Sequence, residues 1–279
     1  MNISEAIDRV RPTIVQISFT AIFSKDEKLR RKRPLIHRNL GTGFFINSDG
    51  YVISAYHVIN AGQKIMRDFQ AERKELTIGI PLPNTETMRE NMTEVPFNIV
   101  DNDERHDLSL IRLSKNPFKG EVSTGFKVKG SEISLQVDVP RLNQKRPKDG
   151  AGIGISGYPF GRSLLVTNAG YVASSWATDI QDIIKPEAPE FRYPDISDIY
   201  LGDVEVNPGN SGGPVYLTED ASVVGLCSAS RQAPIWDQYG KNANINGTKL
   251  FYHSGLTIIR PSKYIIELLE RNNLSWSAI

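Results

Sequence analysis

A single cysteine, Cys227, stands among 279 residues, so an intramolecular disulfide and a cysteine cage for zinc are both excluded. Neither sign of charge is in excess. Lys and Arg number 33 and Asp and Glu 32, a net charge of +1, which removes the basic field of a dedicated nucleic-acid binder and the acidic bias of a disordered solvating chain. No apolar run approaches the roughly 18 residues of a spanning helix. The N-terminal MNISEAIDRVRPTIVQISF carries Glu5 and Asp8 and only short apolar runs, where a secretory leader has a basic start and a continuous apolar stretch. No membrane association is expected, and a reducing, cytoplasmic setting is, unless an export segment was removed and replaced by Met1. There is also no glycine-rich phosphate loop, no His-Glu-x-x-His and no recurrent acidic calcium loop, so no cofactor and no metal is expected. Internal repeats and low-complexity tracts are absent.

What is present is an ordinary globular composition, 39% hydrophobic and 23% charged, in a chain long enough for two units of roughly 130 residues or one large domain. Short runs rich in Val, Ile, Phe and Tyr recur between turn signals at Thr13 to Phe19, Gly43 to Ile46, Tyr51 to Ser54, Leu108 to Leu113, Gly152 to Ser156 and Ser222 to Cys227. That spacing suits an antiparallel barrel or sandwich better than βαβ units. GTGFFINSDGYVISA predicts a hairpin turning at Asp49-Gly50. Helical periodicity is read only at the end, where Tyr264, Ile265, Leu268 and Leu269 form an apolar stripe over about 262–272. Five segments read as irregular or inserted: 24–39, roughly 61–96, 143–152, 177–198 and 231–248. The third, NQKRPKDGAG, is nearly free of apolar residues and is the candidate linker between two halves, 1–142 and 143–279.

The stretch NPGNSGGPV, Asn207 to Val215, brackets Ser211 with glycines and prolines. Glycine permits backbone conformations that aim N–H groups into a cleft, as an oxyanion hole requires, although a glycine-rich turn between two strands has the same composition. A serine hydroxyl becomes a nucleophile only when an imidazole takes its proton, and the imidazole needs a carboxylate to fix its tautomer. Of four histidines, His57 in YVISAYHVI is the candidate base at the end of a β-arm; the plain alternative is a satisfied, partly buried histidine. Asp107 opens the alternating run DLSLIRL, though it shares a polar stretch with Asp101, Asp103 and Glu104, and His106 beside it reads as a solvated turn residue. Cys227 reads as a small buried hydrophobe rather than a rival nucleophile. The basic run KLRRKR (28–33) reads as a charged hairpin loop, and nucleic acid is not an expected partner.

GTGFFI, ISAYHVI, HDLSLIRL, GYPFG, VTNAGYVAS and NPGNSGGPV stand in the order used by the chymotrypsin-like (trypsin-like) serine proteases. The chain resembles most the high-temperature-requirement (HtrA/Deg) branch, from about residue 10 to 265. The resemblance implies an all-β fold of two antiparallel Greek-key β-barrels with a C-terminal helix, the first carrying His57 and Asp107, the second Ser211. It implies a serine endopeptidase with His57 as general base, Asp107 as orienting carboxylate and Ser211 as nucleophile, and an oxyanion hole at Gly209, Asn210 and Ser211 with the backbone N–H groups of Gly209 and Ser211 as donors. A protein or peptide substrate follows, and an activating protein partner is a candidate. A binding module on a protease fold with latent or silent chemistry is the alternative.

Departures from the trypsin pattern carry expectations of their own. Asn210 stands where an aspartate would pair with a freed N-terminal amine, so proteolytic zymogen activation is not expected. The chain given ends soon after its last helix, and a protease domain without a PDZ module is expected. By resemblance the primary pocket is built from Glu205, Val206, Ser228, Ala229, Ser230 and Gly255. Glu205 at its floor would select Arg or Lys; one step of register would instead turn Glu205 outward and leave Val206 lining a small apolar pocket. The polar segments 177–198 and 231–248 fall where the family's regulatory loops lie.

Overall fold

The computed structural model describes residues 1–23, 35–81, 92–123, 132–133, 138–161, 164–178 and 198–279. Strands β1 (Ile14–Ile22), β2 (Leu35–Phe45), β3 (Tyr51–Ala55), β4 (Arg73–Pro81), β5 (Met92–Asp103) and β6 (Leu108–Leu113) close an antiparallel barrel in the order β1-β2-β3-β6-β5-β4. A short ladder joins β7 (Val122–Ser123) to β8 (Glu132–Ile133). The second barrel is built from β9 (Gly152–Gly157), β10 (Val166–Thr178), β11 (Asp198–Gly202), β12 (Pro214–Leu217) and β13 (Val223–Pro234), with β14 (Asn244–Ile245) and β15 (Thr248–Lys249) pairing apart from it before β16 (Phe251–Pro261) completes it. In each barrel the six strands adjoin in the order first, second, third, sixth, fifth, fourth. One topology is thus used twice without a repeat of residues, because alternating burial and turn placement specify strand order and residue identity does not.

Local chemistry explains the elements. In the predicted hairpin, Phe45 pairs with Val52, Asn47 accepts the Asp49 amide at 3.0 Å, and Gly50 takes φ +81°, the left-handed conformation that glycine adopts without strain. Among the described residues three α-helices are present rather than one. Helix α1 (Ile3–Val10) begins in a reciprocal cap between Asn2 and Glu5 and buries Ala6 and Val10. Helix α2 (Tyr56–Asp68) follows β3 directly, so His57 lies in a first helical turn and not at the end of a β-arm. Helix α3 (Ser262–Arg271) matches the expected span and buries Tyr264, Ile265, Ile266, Leu268 and Leu269.

Residues 61–96 are corrected from irregular to the rest of α2, strand β4 and the start of β5, while residues 82–91 lie outside the described residues. Of 24–39, residues 35–39 are strand; 24–34, with the basic run at 28–33, lie outside the described residues, as do 179–197 of the fourth segment. In the fifth, β13 runs on to Pro234 and β14 pairs with β15. The main hydrophobic cluster spans both barrels, joining Phe44, Val52 and Leu110 to Tyr158, Tyr216, Leu226 and Ile265. Around the expected boundary, Asn143 N donates to Val223 O at 2.9 Å and Val223 N to Arg141 O at 2.8 Å, so residues 141–143 lie against the start of β13.

Candidate active site

His57 and Asp107 are joined through two turns. Asp107 sits just ahead of β6 at φ +56°, a left-handed conformation that costs a non-glycine residue about 1–3 kcal/mol and persists only where its surroundings over-determine it. Its surroundings do: the Tyr56 amide donates to the Asp107 carbonyl at 3.1 Å, the His57 amide to Asp107 Oδ1 at 2.9 Å, and the Ser228 hydroxyl to Oδ2 at 2.6 Å. His57 Nδ1 faces both carboxylate oxygens, at 3.0 and 2.9 Å. The aspartate side chain is 13% exposed and the imidazole 50%, so a screened carboxylate grips one ring nitrogen while half of the ring remains open to the cleft. Burial pushes the Asp107 carboxyl up, but the hydrogen bond and charge of His57, the Ser228 hydroxyl and the His57 amide together hold it below the ordinary carboxylate value. Ionised Asp107 therefore selects the tautomer with its proton on Nδ1 and leaves Nε2 as a base.

Ser211 lies on the loop between β11 and β12. Its hydroxyl donates to the Ser228 carbonyl at 2.9 Å, and among the described residues no hydrogen bond joins it to His57. The loop is held against β2: the Thr42 amide donates to the Ser211 carbonyl at 2.9 Å and the Thr42 hydroxyl to the Gly209 carbonyl at 2.6 Å. Gly209 has φ +107°, and a β-carbon there would run into the Tyr158 carbonyl. Asn210, between the two expected donors, has its amide spent on the Asn207 carbonyl at 3.0 Å and its side chain buried. Among the described hydrogen bonds, the amides of Gly209 and Ser211 are not spent on other backbone groups.

The proposed pocket residues divide. Val206 is 5% exposed and packs in the second barrel's core with Val215, Cys227 and Ile259, while Glu205 is exposed and its carbonyl accepts from Asn168. Glu205 is thus not the desolvated carboxylate that a basic preference requires. Ser228 is buried, Ala229 and Ser230 are half-buried, and Gly255 is exposed at φ +79° with open space around it. Ser230 Oγ pairs with His253 Nδ1 at 2.7 Å. Cys227 is buried behind the site, and burial together with the Asp107 charge pushes its thiol up to about 12, which leaves it inert. His106 is corrected from solvated to buried: it is 8% exposed, with Nδ1 at 2.7 Å from Asp103.

Two contributions were not read from the sequence. Ser228, expected as a pocket wall, also bonds Asp107; Thr42 and Asn39, whose side chain donates to the Tyr158 carbonyl at 2.6 Å, tie the first barrel to the serine loop. The only sequence signal for Thr42 is its place between Gly41 and Gly43, where side chains would collide with Val58 and with β3. Among the described residues no group of His, Cys, Asp and Glu could hold a metal, and no helix is long and apolar enough to cross a membrane.

The curated relatives include two proteins named "Probable periplasmic serine endoprotease DegP-like". The one from Hahella chejuensis is 25% identical over 71% of this chain and 31% of its own length; that from Pseudomonas putida (strain GB-1) is 27% identical over 68% and 29%. The magnetosome formation protease MamE of Paramagnetospirillum magneticum is 23% identical over 68% of this chain and 20% of its own length. The chain thus spans under a third of the length of these relatives. Among solved structures, the HtrA-type protease AlgW with decapeptide superposes at a TM-score of 0.59 with 17% identity, covering 97% of this chain and 67% of that one, and so shares the fold. The expected cytoplasmic setting is overturned, because the DegP-like relatives are named periplasmic. The pattern described as "Trypsin-like peptidase domain" matches residues 41–226, from the strand bearing Thr42 through His57, Asp107 and the Ser211 loop to β13. With two six-stranded barrels of one topology and these residues at their junction, the chain belongs to the trypsin-like peptidase family, and it is homologous to the DegP/HtrA serine endoproteases.

Proposed function

We propose that this chain hydrolyses peptide bonds in protein substrates through an acyl-enzyme on Ser211. The observation that carries the proposal is the grip of Asp107 on His57 Nδ1 at 2.9 and 3.0 Å, which prepares Nε2 to receive a proton. Ser211 Oγ attacks the scissile carbonyl while His57 takes its proton; the carbonyl oxygen, now anionic, is held by the amides of Gly209 and Ser211. His57 then protonates the leaving amine, and water repeats the sequence on the ester, returning the free carboxylate and serine. The names of the DegP-like relatives point to work in the periplasm, and the site to peptide-bond substrates.

A second reading concerns latency and rests on one contact. Because Ser211 Oγ donates to the Ser228 carbonyl, the hydroxyl must leave that acceptor before His57 can take its proton. Low basal activity that rises when a peptide or protein partner binds fits this arrangement. Labelling with a fluorophosphonate, alone and with a peptide library, tests both readings. Labelling of Ser211 that Ser211→Ala abolishes is expected, with hydrolysis falling on the order of 10⁴-fold or more in that variant. Wild-type turnover by Ser211→Ala ends the hydrolase reading, and labelling that no peptide increases ends the latent one.

A further inference from the structure

The turn that presents Asp107 is held from the far end of the chain. His106, one residue before Asp107, is clamped on its own turn by Asp103, which accepts its amide at 3.1 Å and sits 2.7 Å from its Nδ1. Its ring lies flat on Tyr264 of α3, with centroids 3.6 Å apart and planes 11° from parallel. Tyr264 is fixed in turn: its hydroxyl donates to Asp198, which also binds Lys263 Nζ at 2.7 Å, and that ammonium lies 4.6 Å from the centre of the Tyr264 ring. The other end of α3 reaches β5, the strand that runs into this turn, since Arg271 Nε meets Asp101 Oδ2 at 2.9 Å and the Asn272 side chain donates to the same oxygen at 2.8 Å. A helix contributed by the second half of the chain therefore grips the turn that leads into Asp107 and the end of β5 before it.

We propose that the His106–Tyr264 stack positions Asp107: α3 clamps the β5–β6 turn through this pair, and so holds the carboxylate against His57. His106 and Tyr264 touch no reacting atom in the scheme above and are positioning residues. Three features converge on this assignment. Asp107 holds a left-handed backbone that must be enforced from outside; its own amide donates within the turn, to Glu104 O at 3.3 Å; and His106, its neighbour in that turn, reaches the second half of the chain by a ring contact. Stacked planar rings fix both distance and tilt, whereas an aliphatic contact fixes distance alone.

The test compares Tyr264→Leu, which keeps bulk and removes the plane, with Tyr264→Phe, which keeps the plane and loses the hydroxyl. All proteins are held well below their melting temperatures, with folding checked by circular dichroism. One readout is the nitrogen NMR shifts of the His57 ring, assigned by their loss in His57→Gln, which report the Nδ1–H tautomer that Asp107 selects. The other is kcat against KM on a cleaved peptide. In Tyr264→Leu the ring shifts are expected to move toward a free imidazole and kcat to fall roughly 10- to 100-fold with KM within about twofold, the scale of a misplaced catalytic group. Tyr264→Phe is expected to recover most of both effects. Wild-type ring shifts in Tyr264→Leu overturn the proposal, even if its melting temperature falls, because a lower melting temperature alone reports packing. The kinetic arm presupposes the hydrolysis proposed above and the NMR arm does not, so a wild-type protein that cleaves nothing sinks that reading while the ring shifts still decide this one.

Discussion

Ser228 carries two contacts that pull on opposite sides of the site: its hydroxyl supports Asp107 at 2.6 Å, and its carbonyl holds the Ser211 hydroxyl at 2.9 Å. A hydrogen bond to a charged group is worth about 1.5–3 kcal/mol, so Ser228→Ala is expected to lower kcat roughly 10- to 100-fold by loosening Asp107, with the fold kept. Steady-state kinetics check this, and an unchanged kcat would remove Ser228 from the support of Asp107. Gly209→Ala is expected to be far more severe, because the added carbon meets the Tyr158 carbonyl and the backbone at φ +107° is strained for any residue with a β-carbon. Loss of fluorophosphonate labelling together with a lowered melting temperature is the outcome to look for. The specificity expectation shifts as well. With Glu205 exposed, Glu205→Ala is expected to leave the cleavage profile of a peptide library unchanged, and a small aliphatic preference is proposed; a lost preference for Arg or Lys would restore the basic pocket. His57, Asp107 and Ser211 could be singled out as candidates in the sequence because a hydroxyl nucleophile demands an imidazole and a carboxylate, and because the motifs around them stand in the order of the trypsin-like proteases they resemble. Thr42 and the second role of Ser228 were not, since serine and threonine hydroxyls acting on a backbone or a distant carboxylate leave no pattern along the chain.

Strands and helices differ in how they announce themselves. The β2–β3 hairpin was readable because its turn demands Asn, Asp and Gly at fixed places, and α3 because its stripe is continuous. Helix α2 was not: ISAYHVI is rich in β-branched and aromatic residues, and Ala55 offers no side-chain cap, so propensity favours a strand and only packing of Val58, Ile59 and Gly62 decides for helix. Strand β11 poses a different question, that of acid stability. Asp198 opens it and receives Lys263, Tyr264 and Arg146; burial pushes its carboxyl up, but those hydrogen bonds outweigh it and take it from 3.8 to about 2. A depressed folded value means that the folded state favours the ionised form. The contribution is therefore complete above 3.8 and is lost as pH falls toward 2. Asp198→Asn is expected to melt lower than wild type near neutral pH, with the gap closing across that window. A gap that stays constant down to the acid end would mean that Asp198 acts through shape rather than charge.

At the scale of the molecule the site exists only where two barrels meet. His57 and Asp107 come from the first and Ser211 from the second, and the bonds that register them cross between the two: Thr42 to Ser211 and Gly209, Asn39 to Tyr158, Ser228 to Asp107. The apolar cluster crosses with them, from Phe44 and Leu110 to Tyr158 and Ile265, and α3 closes back onto β5. The division into 1–142 and 143–279 remains a proposal about topology, and thermodynamic independence of the halves does not follow from it. Shared apolar burial couples two units in proportion to the area that neither can cover alone. One cooperative thermal transition is therefore expected, with equal calorimetric and van't Hoff enthalpies, and residues 1–142 expressed alone are expected to expose the Phe44 and Leu110 side of the shared cluster and to remain partly unfolded. Two resolved transitions, the first leaving one barrel with native strand content, would mean that the junction is a contact between independent domains. Catalysis would then depend on docking, and activity would be lost at the lower transition. If a single transition is seen, activity and structure disappear together, as required when the proposed nucleophile and its proposed base are held by the same core.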